Sequence, residues 1–120
     1  MSGQFQHINL AYLERVTEGD RTMLRELLGT LMKQLQSEIP VLRGLLDAAR
    51  WKELADAAHR LRGSLAFAGN DRIMEIATEI ERLAEQGAEL GRVPGLLAEL
   101  EAVVPGILVE LRAAAAAISP

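Results

Sequence analysis

The chain has 120 residues, 25% of them charged, a formal net charge of −4 and no cysteine. That length holds one small core and leaves no room for a kinase nucleotide site beside it. Bases dispersed among a slight excess of acids give no electrostatic footprint for nucleic acid, and without cysteine there is no disulfide framework and no thiolate metal or redox chemistry.

Helical signals run almost throughout. Asn9 is placed to cap a short helix carrying Leu10 and Leu13, and Asp20 to cap a second one. In the second, Met23, Leu24, Leu27, Leu28, Leu31 and Leu35 recur at helical spacing, and the pattern resumes at Leu42, Leu45 and Leu46 beyond Pro40. Proline lacks the N–H and clashes with the preceding turn, so a kink or division is expected at Pro40. A third helix is expected from about Ala49 to Ala68, closed by Gly69 in a left-handed cap. Trp51, near its start, is expected to anchor the core.

Within the third helix Leu54, Ala58, Leu61, Leu65 and Ala68 form one apolar stripe. At about 100° per residue, His59 points about 140° from the middle of that stripe, toward solvent or a partner. Arg62 and Gly63 lie one turn along from it, and Ala55 and Asp56 one turn back. An unperturbed imidazole titrates near pH 6.5, so much of it is a neutral nucleophile at neutral pH. Arg62 is a permanent cation whose paired donors suit a phosphoryl dianion. Gly63 costs roughly 1 kcal/mol relative to alanine inside a helix, and its bare backbone would let another protein come close. A lone helix histidine is more often solvated or hydrogen-bonded in a core, and Gly29 and Gly44 also interrupt helices. The arrangement, more than any single residue, points to phosphate transfer.

Asn70 or Asp71 opens a fourth pattern, Ile73, Ile76, Ala77, Ile80, Leu83 and Ala84, which stops near Gly87 and Gly91. Pro94 suits the first turn of a last helix bearing Leu97, Leu100, Val104, Ile107 and Leu111, with a kink expected at Pro105. The run Ala113 to Ala117 is expected to be a helical tail or frayed end. Short connections favour antiparallel neighbours, so the expected fold is all-α: an antiparallel four-helix bundle with a short additional N-terminal helix, a single domain over residues 1–120.

The segment Ala58-His59-Arg60-Leu61-Arg62-Gly63-Ser64, with Gly69 ten residues after the histidine, resembles the signature of histidine-containing phosphotransfer (HPt) domains. Ile8 to Leu28 is similar to the family's opening, and Ile73 to Leu83 to the helix after the histidine helix. The resemblance covers the first three quarters of the chain, and the last helix matches only in kind. It implies a phosphorelay intermediate. His59 would be the phospho-acceptor through Nε2, Arg62 the phosphate-stabilising cation and Gly63 the access residue. The family usually carries lysine at the Arg62 position, so transfer rate or partner preference could differ.

Implied partners are receiver domains of response regulators or hybrid histidine kinases, which would also supply the magnesium; no cofactor is expected in this chain. It is expected to be a monomer without autonomous kinase activity. No segment reaches the roughly 20 apolar residues of a membrane span, and the N-terminus lacks the pattern of a secretory signal; a cytoplasmic location is expected. Alternatives are the histidine-bearing input domain of a chemotaxis-type kinase, a non-phosphorylated helical adaptor or inhibitor of a receiver, and a receiver-directed phosphatase. A zinc site is not expected from His7 and His59 alone, and no phosphate-binding loop is present. His7 is expected to be incidental, and the pairs Glu79/Glu81 and Glu99/Glu101 to be solvated helix residues.

Overall fold

The structure is a computed structural model that describes residues 5–118. Its elements are α1 (Leu10–Val16), α2 (Arg21–Asp47), α3 (Trp51–Ala68), α4 (Asp71–Gln86), a 3-10 turn at Leu90–Arg92 and α5 (Val93–Ile118). Helices α2, α3, α4 and α5 form a closed ring in which α3 packs on α2 and α4, and α5 on the same two, while α1 packs on α3. The connections joining successive long helices are short, which sets those neighbours antiparallel. The all-helical architecture expected from the sequence is the one observed.

Local chemistry sets the boundaries. Asn9 Oδ1 accepts from the Tyr12 N–H and Asp20 Oδ1 from the Met23 N–H, at 3.0 and 2.9 Å. Asn70 rather than Asp71 caps α4, accepting from both Arg72 and Ile73. These carboxylate and amide oxygens satisfy N–H groups that a helix start leaves without partners.

Helix α3 begins at Trp51, two residues later than the expected Ala49. Ala49 instead adopts a left-handed φ of 55° and closes α2. Its N–H donates to the Leu46 carbonyl, and the Arg50 N–H donates to that of Leu45, the paired bonds of a Schellman cap.

Neither proline divides its helix: α2 runs unbroken through Pro40 and α5 through Pro105. Both rings are exposed. Packing on either side, by Ile39 and Leu42 in α2 and by Val104 and Ile107 in α5, carries the helix across the missing hydrogen bond.

The apolar stripes meet in one continuous core. Leu54, Ala58, Leu61, Leu65 and Ala68 of α3, the six expected residues of α4 and the five of α5 are all buried. Met23, counted with the α2 stripe, instead stands 52% exposed. The alanine run is helical to Ile118, with Ala114 fully buried.

The backbone of His7 ties down the N-terminal segment. The His7 N–H donates to Glu110 Oε1 at 2.8 Å, with the Gln6 and Ile8 N–H groups on the same carboxylate. Its carbonyl accepts from Asn70 Nδ2, and its ring stands 2.6 Å from where a Cβ on Gly106 would be. The N-terminal segment is thereby strapped across α5 and the start of α4.

Gly69 closes α3 at φ 69°, and a Cβ there would lie 2.7 Å from Asn9 Cβ. Asn9 caps α1 and also donates its N–H to the Ala68 carbonyl at 2.7 Å, so it has little freedom to retreat. Gly69→Ala is expected to cost about 1–3 kcal/mol from left-handed strain plus this clash, lowering the thermal midpoint by several degrees in a circular dichroism melt.

Candidate functional site

His59 sits at the middle of α3 on the face turned from the core, its side chain 69% exposed. Beneath it, Ala55 and Ala58 are buried, and these small residues let α4 come close. The neighbour they admit is Glu81. Its Oε2 lies 2.9 Å from His59 Nδ1, and its Oε1 accepts from Arg62 Nη1 at 2.7 Å. One carboxylate thus bridges the histidine and the arginine that follows it by one turn.

Glu81 is only 16% exposed at its side chain. Burial pushes its carboxyl up, but hydrogen bonds and charge from Arg62 and His59 outweigh burial and hold it below the usual carboxylate range. An ionised carboxylate can only accept hydrogen bonds, so Nδ1 carries a proton. In the neutral ring the lone pair then belongs to Nε2, the outward nitrogen. The fold selects the tautomer.

Arg62 is half-buried, and its Nε lies buried with no hydrogen-bond partner. Its guanidinium is braced against Glu81 rather than free in solvent. Gly63 is exposed, and a Cβ there would meet nothing within 4 Å. Under it the Ser64 hydroxyl donates to Gln34 Oε1 and ties α3 to α2.

Two grooves flank this ridge. One of about 630 Å³ between α3 and α4 is lined by Trp51, Lys52, Asp56, His59, Glu81 and Glu85 among others. The other, about 370 Å³ between α2 and α3, is lined by Leu27, Leu31, Arg60, Gly63 and Phe67 among others. Trp51 is half-buried: it packs on the core as expected and also forms a wall of the groove beside His59.

The structure brings His59, Arg62 and Gly63 onto one surface and adds Glu81. Glu81 is not the solvated residue expected from its spacing to Glu79. The two carboxylates diverge. Glu79 pairs with Arg82 and Arg92, with the Arg82 hydrogen bond foremost in lowering its carboxyl to about 2. Glu99 and Glu101 also serve as cross-helix partners, to Arg72 and Arg43. A signal for Glu81 existed: it lies four residues after Ala77 and three before Ala84, both small and buried, so it borders the face that α4 turns to α3. Among the described residues, no group of three or more His, Asp or Glu is placed to hold a metal ion, and no helix is long and apolar enough to cross a membrane.

The chain is similar to the virulence sensor protein BvgS of Bordetella bronchiseptica and of Bordetella parapertussis, at 26% identity over 88 residues in each case. That alignment covers 72% of this chain and 7% of the relative, so the chain spans a small part of those sensors. No solved structure matches it significantly. A family model described as the Hpt domain matches residues 26–118. The match includes α5, where the motif-level resemblance is one of kind only. With an outward histidine on a four-helix bundle and a family match over most of its length, the chain belongs to the Hpt domain family, the phosphotransfer modules of two-component phosphorelays.

Proposed function

We propose that His59 Nε2 accepts a phosphoryl group from a receiver-domain aspartyl phosphate and passes it to the aspartate of another receiver. The observation that carries this is the Glu81 bridge. It holds Nδ1 protonated and leaves the lone pair on Nε2 of a side chain that is 69% exposed. In the transfer, that lone pair attacks phosphorus. The Nε2–P bond forms as the acyl P–O bond breaks, and the aspartate carboxylate leaves with the bonding electrons. Positive charge developing on the ring is matched by Glu81 across 2.9 Å.

Arg62 has two uses in this scheme. Bound to Glu81, it offsets a negative charge that would otherwise repel the incoming phosphoryl group. Its remaining donors lie one turn from Nε2 and can take phosphoryl oxygens. Gly63 and the groove beside it admit the partner's loop. Phosphoryl transfer also needs an acidic, magnesium-binding pocket, which we assign to the receiver, leaving this chain a carrier without kinase activity of its own.

The test is incubation of the purified protein with radiolabelled phospho-receivers and, separately, with ATP alone. Acid-labile, base-stable label arriving from a receiver and not from ATP is the expected result. A folded protein that binds receivers yet never takes label would be an adaptor instead.

A further inference from the structure

We propose that Glu81 is a positioning residue that sets how fast the phosphoryl group leaves His59, by keeping the Nδ1 proton on the phosphorylated ring. This rests on His59 being the acceptor.

The chemistry is that of the leaving group. When phosphoryl passes from Nε2 to a receiver carboxylate, the Nε2–P bond breaks, a P–O bond forms and the bonding electrons return to Nε2. If Nδ1 has kept its proton, the departing ring is neutral imidazole. If Nδ1 is bare, the departing species is imidazolate, a far more basic and poorer leaving group. The proton on the far nitrogen therefore decides whether the phosphohistidine is a reactive donor or an inert store.

Glu81 holds that proton from 2.9 Å, with its other oxygen fixed by Arg62 at 2.7 Å. The clamp matters because it keeps the carboxylate ionised and oriented when the phosphoryl charge arrives. The other charged groups around the ring are Lys52, Asp56 and Arg62 on α3 and Glu85 on α4. In the groove toward α2, the lining residues of α2 carry no charge, and the charged group there is Arg60 of α3. Of these groups, Glu81 is the one hydrogen-bonded to the ring.

An amide at position 81 removes this preference. Its oxygen can accept from a protonated Nδ1, and its NH₂ can equally donate to a bare one. Wild type, Glu81→Gln and Glu81→Ala are charged with phosphoramidate, and each is checked for native helicity. Label loss is then followed across pH, and the ring proton by ¹H–¹⁵N NMR. In both variants the expected results are a phosphohistidine lifetime about tenfold longer at neutral pH, a label-loss profile displaced to lower pH by about 1 unit or more, and loss of the Nδ1–H signal that wild type retains. Release of Arg62 toward the phosphoryl group could lengthen the lifetime by itself, but it would leave the Nδ1–H signal in place and so overturn the proposal. An unchanged lifetime and pH profile in both variants would overturn it too, with the acceptor role intact. Failure of wild type to take label from phosphoramidate and from phospho-receivers would instead remove the acceptor reading, and this proposal with it.

Discussion

The His59→Gln variant is expected to take no phosphoryl group from any receiver, while its thermal stability stays within about 0.5 kcal/mol of wild type. Total loss follows because the substitution removes the nucleophile and leaves the surrounding groups unable to replace it. Glutamine has no lone pair basic enough to attack phosphorus, and the other imidazole, His7, is packed against Gly106 beneath the strap held by Glu110. Stability is spared because the His59 side chain is 69% exposed and its hydrogen-bond partner Glu81 keeps the Arg62 bond. Label retained by His59→Gln would place the acceptor elsewhere. A collapse in stability would contradict the outward position of the ring. Radiolabel transfer beside a thermal melt reads both.

What the sequence reveals and what it hides divide along a physical line. Apolar spacing along one helix is a local property, so the stripes of α3, α4 and α5 are legible, and with them the outward direction of His59. Caps are also local: Asn9, Asp20 and Gly69 each act within a few residues of where they sit. Glu81 is different, because its role depends on the register of α4 against α3 across a separation of 22 residues. Two glutamates two apart on one helix look alike in sequence, yet Glu79 turns to Arg92 and Glu81 to His59. That α2 is not divided at Pro40 is hidden for a related reason. The penalty of a helix proline is local, and the packing that overrides it is not. Ala49 gives no sign of its left-handed turn because the cap is imposed by the path of the chain into α3, without the glycine that usually marks it.

Gly63 separates docking from chemistry, and its substitution is expected to act on the two in opposite directions. Nothing lies within 4 Å of the position a Cβ would take, and the residue is interior to α3, so a side chain there meets no steric objection from the fold. Gly63→Ala and Gly63→Leu should therefore both stabilise the bundle, by up to about 1 kcal/mol, through gained helix propensity. Only the leucine projects far into the groove beside Arg60 and Phe67, where the receiver's backbone must approach. A phosphoryl donor displaced by about 1 Å from line of attack loses on the order of 100-fold in rate, and that is the loss expected for transfer from phospho-receivers to Gly63→Leu. Phosphoramidate, a donor small enough to reach Nε2 without seating on the groove, should charge the same variant at the wild-type rate. Equal slowing with both donors would mean that the leucine disturbs His59 or its Glu81 bridge. Slowing with the protein donor alone, in a bundle that melts higher than wild type, would show that the missing side chain at position 63 is kept for the partner and at the expense of the helix.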